Sequence, residues 1–250
     1  MSRWLLRVEY DGSAFCGWQR QQSGLAVQTV LAAAVKAVDY VDTTRECSMP
    51  ESAGRTDSGV HAIAMPVHID MQRPMEDFRL VAALNAHLRP HKVAVLAAEA
   101  VADDFHARFS CKGRHYRYVI LNRMAPAILA RERVWHVHRP LDIRQMQEAA
   151  NYLLGQHDFS SFRAAGCQAA SPLKNLDRLH ISQQGDEIWI DASARSFLYH
   201  QVRNMVGTLA EFGVGKWQAE YMQEILAMKN RHIAGATAPA CGLYFAGADY

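Results

Sequence analysis

Asp57 is the residue best placed for chemistry in this 250-residue chain, because of the residues around it. It lies in Ala53-Gly54-Arg55-Thr56-Asp57-Ser58-Gly59-Val60-His61-Ala62, where two glycines bracket a cation, a carboxylate and two hydroxyls. Glycines at both ends let the backbone turn sharply and approach a ligand closely. In an extended segment Arg55 and Asp57 share a face and can pair, which keeps the carboxylate ionised and aims it. Taken alone, the same residues also read as a polar hairpin whose charges are simply solvated.

Two other groups add to that loop. Arg108, Lys112, Arg114 and Arg117 form the densest local run of cations, with Phe105, Phe109, Tyr116 and Tyr118 interleaved. Cations hold phosphates and flat rings stack on bases, so the run suits a nucleic-acid groove better than a solvated strand edge. Tyr116, Tyr118 and Ile120 fall on one strand face, so Tyr116 can line a cleft while Ile120 packs. Further on, Arg203 lies beside the apolar stripe of a helix rather than opposite it. A carboxylate held by an arginine, with a tyrosine above a flat substrate, suits work on a nucleobase or a sugar.

Other chemistries find little support. The histidines show no H-E-x-x-H spacing and no cysteine partners at metal distance, so no metal site is expected. Asp57-Ser58-Gly59 is not a nucleophile elbow. There is no phosphate-binding G-x-x-x-x-G-K-[ST] and no G-x-G-x-x-G after a strand, so no nucleotide cofactor is expected.

The elements that position these groups alternate along the chain. A strand at 4–10 puts Trp4, Leu6, Val8 and Tyr10 on one face, and Asp11-Gly12-Ser13 turns it. The loop Phe15-Cys16-Gly17-Trp18-Gln19-Arg20-Gln21-Gln22 follows, with Trp18 either a core plug or a base-stacking platform. Helical spacing covers 27–41 through Val27, Val30, Leu31, Ala34, Val35 and Val38. Pro66 in the strand after the Asp57 loop argues for an edge position or a bulge. A second helix is expected over 78–88 and a buried strand over 93–96. Asp142 caps a helix running to 154, with Gly155 as its stop. Asp158-Phe159-Ser160-Ser161-Phe162-Arg163 is a polar-aromatic loop. A hairpin turns around Gln184-Gly185-Asp186. Helices over 198–212 and 219–228 precede a closing strand at 242–246. This order predicts an α+β protein of two α/β lobes, with mixed or antiparallel sheets flanked by helices and a cleft between the lobes. The lobes are expected over residues 1–105, carrying the Asp57 loop, and 106–250, carrying Tyr116 and Arg203.

Composition bounds the rest. Half of the residues are hydrophobic and 21% are charged, an ordinary balance for a folded chain. No run of 18 apolar residues exists, so no membrane partner is expected, and the strand pattern beginning at Trp4 argues against a signal peptide. The five cysteines, Cys16, Cys47, Cys111, Cys167 and Cys241, are scattered, which fits reduced thiols in the cytoplasm. A net charge of +2 gives no global argument for nucleic acid, so that case rests on local clusters.

Gly54-Arg55-Thr56-Asp57-x-Gly59-Val60-His61 resembles the signature of the tRNA pseudouridine synthase A family. Other blocks agree in order and spacing: Tyr10-Asp11-Gly12, then Phe15-x-Gly17-Trp18-Gln19-x-Gln21; Asp104 to Ser110 with Tyr116-Arg117-Tyr118; Asp158-Phe159 with Ser161-Phe162-Arg163; Phe197 with Gln201-Val202-Arg203-Asn204-Met205-Val206-Gly207; and Gly242-Leu243-Tyr244. The chain departs from the family's usual residues at Ser58, Met65 and Pro66, and one residue is inserted near Arg89-Pro90.

The resemblance implies the pseudouridine synthase fold and an isomerase that acts without a cofactor. Its expected substrate is uridine at positions 38, 39 and 40 of the tRNA anticodon stem-loop, flipped out of its stack into the cleft. By match, Asp57 is the nucleophile or bond-cleaving carboxylate; attack on the ribose, addition to the base and abstraction of a sugar proton all stay open. Arg203, rather than Arg55, then pairs with Asp57, and Tyr116 stacks on the base and can move a proton at C5. Arg55 is left for the vacated stack or a phosphate. Phe105, His106, Ala107, Arg108 and Phe109, with Phe162, Arg163, Ala164, Ala165 and Gly166, are expected to contact RNA, and a homodimer is expected to hold the tRNA. The competing reading is a catalytically silent RNA-binding or RNA-chaperone module using the same groove.

Overall fold

The computed structural model describes residues 2–22, 24–39 and 49–250. It parts into two compact units, Met1–Lys112 with Tyr244–Tyr250, and Gly113–Leu243. The sequence reading puts the division after residue 105, whereas the packing continues the first unit to Lys112 and returns the last residues to it. Among the described residues no helix is long and apolar enough to cross a membrane.

In the first unit, β1 (Ser2–Tyr10) lies between β4 (Val93–Val101) and β3 (His61–Met71), antiparallel to both. A short β2 (Glu51–Ser52) pairs with β3 opposite Val67 and His68. The alternation in β1 works as expected: Trp4, Leu6, Val8 and Tyr10 are buried, while Arg7 and Glu9 are exposed. Two helices, α1 (Val27–Val38) and α2 (Asp77–Leu88), pack on each other, and α2 packs on β4. The predicted helix over 27–41 stops at Val38, and Asp39 follows it as the C-cap. Buried Asp39 accepts hydrogen bonds from the backbone N–H groups of Gln72 and Arg73, which fixes the exit of β3. Val41 and Cys47 lie outside the described residues.

Pro66 corrects one expectation. It sits inside β3, opposite Arg7 of β1, and the register shift between the two strands falls at Val8 to Tyr10 instead. Its carbonyl accepts from the N–H of Ala53, so its nitrogen faces that same side, just where the two-residue β2 ends. A proline is tolerated in a paired strand when the missing donor points to a place without a ladder partner.

Within the second unit the strands run in the order β5 (Gly113–Asn122), β9 (Glu187–Ala194), β8 (Leu173–Gln184) and β7 (Gly155–Asp158), with β6 (Trp135–Val137) parallel to β5. The β8–β9 hairpin turns at Gly185-Asp186 as the sequence predicts, with Gln184 opposite Glu187. Three helices complete the unit: α3 (Ile143–Asn151), α4 (Gln201–Gly213) and α5 (Tyr221–Met228). Asp142 caps α3 by accepting from the N–H groups of Arg144 and Gln145. The helix ends at Asn151, ahead of Gly155, which opens β7 in the left-handed region. Most of α4 is buried, including Gln201, Asn204 and Thr208, so its polar positions serve internal hydrogen bonds. Strands that pair mainly antiparallel, with helices packed in each unit, make this an α+β protein.

Candidate active site

The Asp57 loop is held from beneath by the loop that follows β1. The N–H of Trp18 donates to the carbonyl of Thr56 at 3.1 Å, and the hydroxyls of Tyr10 and Thr56 share a 2.7 Å hydrogen bond. Ser58 donates through its Oγ to the carbonyl of Phe15. Gly17, at φ +115, lets that loop come close: a Cβ there would stand 2.7 Å from the Thr56 carbonyl oxygen and 3.2 Å from the carbonyl carbon of Asp57. Trp18 is only 2% exposed, so it is the core plug of the two readings and not a stacking platform. Within the loop, the N–H of Val60 closes a turn onto the carbonyl of Asp57. Thr56 and Val60 are buried, Asp57 is part-exposed between them, and Arg55 is exposed. The sequence therefore builds a turn whose carboxylate stands at the surface on a backbone tied down on either side.

His61, the first residue of β3, supports the same region. Its Nδ1 accepts from the N–H of Gly12 at 3.0 Å and lies 3.3 Å from Asp11 Oδ1, and its ring stacks on Tyr244 at 4.8 Å. Tyr244 belongs to β10 (Leu243–Asp249), which runs parallel to β3 with Tyr244 opposite His61 and Phe245 opposite Ala62.

The segment from Phe105 to Phe109 is a loop clasped by two imidazoles. His68 Nδ1 accepts from the N–H of Ala107, and His106 Nδ1 accepts from the N–H groups of Arg108 and Phe109. The rings of His68 and His106 stand 4.6 Å apart, and His106 Nε2 reaches Glu51 Oε2 at 3.2 Å. Arg3 donates to the carbonyl of Phe105 while its other nitrogens grip Asp70, and the hydroxyl of Tyr250 donates to the carbonyl of Ala107. Ala107 is buried at the centre of this network. The outcome is display: Phe109 is 75% exposed, with the Arg108 guanidinium 5.7 Å from its ring centroid. Burial holds the pKa of His68 below its ordinary value, with the neighbouring charges of His106 and Arg3 acting the same way.

Glu51, His68 and His106 also bring potential ligand atoms within 4.8 Å of one another. Both Nδ1 atoms already accept backbone N–H groups, which in neutral rings leaves the proton on Nε2. A metal would need those Nε2 lone pairs, so the donor set fits a hydrogen-bonded clasp and not a metal centre.

In the second unit, Tyr116 is part-exposed on β5, its ring edge-on to Phe197 at 5.1 Å. Tyr118 and Ile120 on the same face are buried, and the Tyr118 hydroxyl donates to the carbonyl of Pro239. The cationic run is divided by the structure. Arg117 is held by Asp191 through two bonds of 2.8 and 3.1 Å and lies 4.2 Å over the Trp189 ring, so it serves the β5–β9 pair. Arg114 donates to the carbonyl of Arg195.

Arg203 sits in the first turn of α4. Its Nε donates to the carbonyl of Ala238 at 2.8 Å, and its Nη1 lies 3.2 Å from His200 Nε2. The segment that supplies Ala238 packs against α4 at Gly207, where a Cβ would stand 1.7 Å from the Ala236 carbonyl oxygen. Arg231 secures the same segment by donating to Gly235, Thr237 and Asn204.

The predicted RNA-contact segment from Phe162 to Gly166 is mixed. Phe162 is 0% exposed, part of the core with Phe159, because the 3₁₀ turn at Ser160–Phe162 directs its ring inward. Arg163 and Ala164 are part-exposed, and Ala165 and Gly166 are exposed, with Gly166 in the left-handed region. Arg163 donates to the carbonyls of Cys167 and Ala169, which closes the loop on itself. The sequence reading missed His68 and His200; for the second, its place three residues before Arg203 was the available signal.

A family model described as tRNA pseudouridine synthase matches residues 7–110 and 149–250. Those spans contain the Asp57 loop, the clasped 105–109 loop and Arg203. The chain is 55% identical over 250 residues to the tRNA pseudouridine synthase A of Rhodospirillum centenum, covering all of both chains. To the protein of the same name from Rhodospirillum rubrum it is 52% identical, over 98% of this chain and 86% of that one. To that from Erythrobacter litoralis it is 48% identical, over 100% of this chain and 99% of the other. Agreement of this extent, reaching both units and every loop built above, places the chain in the tRNA pseudouridine synthase family.

Proposed function

We propose that this protein isomerises uridine to pseudouridine at positions 38, 39 and 40 of the tRNA anticodon stem-loop, with Asp57 as the nucleophile. The observation that carries the reading is the Asp57 loop, a part-exposed carboxylate on a backbone fixed by Trp18, Tyr10 and Ser58. The reaction breaks the N1–C1′ bond, turns the uracil, and forms a C5–C1′ bond; the proton at C5 is lost and one is gained at N1. Atoms balance without a cofactor. A stacked uridine is out of reach, so it must first be flipped, at a cost of a few kcal/mol.

Each residue has a distinct part. Asp57 forms and later releases the bond that holds the detached fragment. Arg203 pairs with Asp57 and keeps it ionised. Tyr116 stacks on the flipped base and takes the C5 proton. Arg55 contacts phosphate or fills the vacated stack. Arg108 and Phe109 grip the stem, as do Arg163 and the exposed part of its loop through Gly166. We further infer a cytoplasmic homodimer that holds one tRNA across both subunits, which light scattering would test directly.

The deciding experiment assays Asp57→Ala on tRNA carrying tritium at C5 of uridine. Release is expected to fall to background while tRNA binding persists. Appreciable residual release would sink the assignment, and loss of binding together with release would favour a purely structural role for Asp57.

A further inference from the structure

We propose that His200 is a positioning residue for Arg203, setting the plane of its guanidinium; this rests on the role proposed above for that arginine. His200 is the N-cap of α4 and adopts φ 60, ψ 7, the left-handed region. A residue with a Cβ pays about 1–2 kcal/mol there. Caps are normally Ser, Thr, Asp or Asn, whose side chains accept from the first turn, yet the His200 side chain makes no cap hydrogen bond. Helix capping therefore does not account for an imidazole at this point.

What the left-handed turn does achieve is to bring His200 Nε2 to 3.2 Å from Arg203 Nη1. A guanidinium has only donors and stays protonated, so the imidazole must be the acceptor, neutral, with its own proton on Nδ1. With Nε bound to the Ala238 carbonyl, two nitrogens of the fork are fixed by groups on different segments. Two fixed points on a planar group set its orientation.

The residue before His200 is anchored on both sides of its peptide unit. The Tyr199 carbonyl accepts from the N–H of Ala164, and its N–H donates to Cys167 Sγ. The Tyr199 ring stacks on the imidazole at 3.9 Å between centroids. Burial alone would raise the Cys167 pKa, but N–H donors from Tyr199 and Ala169, with Arg163, bring it below the ordinary thiol value. The surroundings thus hold position 200 in a conformation it would not choose, which is how backbone strain is kept at a working site.

The test uses His200→Gly and His200→Gln in the full chain, assayed on a tRNA transcript tritiated at uridine C5. Glycine relieves the backbone strain and removes the acceptor; glutamine keeps the strain but carries an amide oxygen at the reach of Nε2. His200→Gly should unfold no earlier than the parent yet lose kcat by about tenfold to a hundredfold with KM little changed. His200→Gln should recover part of that loss. A wild-type kcat in His200→Gly overturns the proposal, as does a loss that glutamine fails to relieve. Arg203→Ala, run in parallel, separates the two readings: if it keeps turnover, the role of Arg203 falls and this inference with it. If Arg203→Ala is inactive while His200→Gly is not, only the inference falls.

Discussion

The backbone of Gly17 lies against the carbonyl of Thr56 so closely that a Cβ at position 17 would stand 2.7 Å from that oxygen. The residue after Thr56 is Asp57, so two loops some forty positions apart in sequence share one backbone surface under the Asp57 carboxylate. Gly17→Ala should therefore affect activity more than its size suggests. The obstructing atoms are backbone and cannot rotate away, and φ +115 is itself unfavourable for alanine. We expect a stability loss of about 1–3 kcal/mol in urea unfolding and, in the tritium assay, a drop in turnover of about tenfold or more.

Tyr10 and Thr56 share a buried hydroxyl pair at 2.7 Å beneath the same loop. Tyr10→Phe strands a buried oxygen and should cost about 1–3 kcal/mol. Adding Thr56→Val removes both partners, and the double variant should be more stable than the two single losses summed. Strict additivity in the unfolding free energies would show that the pair is not coupled.

Protonation of His68 is opposed by its burial, and its Nδ1 is occupied by the N–H of Ala107. A histidine with a folded pKa below the unfolded value of about 6.5 contributes stability that is complete above that pH. The contribution is lost as pH falls through 6.5 toward the folded pKa, because the unfolded chain then binds the extra proton. The urea midpoint should thus fall between pH 7.5 and 5.5. His68→Asn, which presents an oxygen where Nδ1 stands, should fall less over the same interval.

Arg108 and Arg117 are near neighbours in sequence with different work. Arg108→Ala should weaken tRNA binding and reduce the slope of log affinity against log salt by about 1, as for one lost phosphate contact. Arg117→Ala loses Asp191 and the Trp189 face, so it should cost about 1 kcal/mol of stability while leaving that slope unchanged. Filter binding across a salt series separates them.

Local periodicity carried most of the element reading. Apolar spacing in 27–38, alternation in β1 and the Gly185-Asp186 turn are short-range signals, and each produced the element it implied. Errors fell where a distant partner decides. Pro66 is accommodated by the end of β2, Phe162 is held by the Asn204 amide that donates to its carbonyl from 42 positions later, and Arg117 by Asp191, 74 positions later. The site divides the same way. Asp57 and its glycines stand out in one short motif, whereas His68 and His200 are ordinary letters until the fold sets them against Ala107 and Arg203.

The strand that pairs Tyr244 with His61 and Phe245 with Ala62 belongs to the first unit but is separated from the rest of it in sequence by the whole second unit. All of Gly113–Leu243 leaves the ribosome before it. The second unit can therefore fold during synthesis while the first still has an unpaired side on β3, next to His61 and four residues from Asp57. The ring of Tyr244 reaches His61 only after the whole second unit has been made, so the sheet beside the Asp57 loop is completed late, and a chain cut before Tyr244 would carry Asp57 on an unfinished sheet.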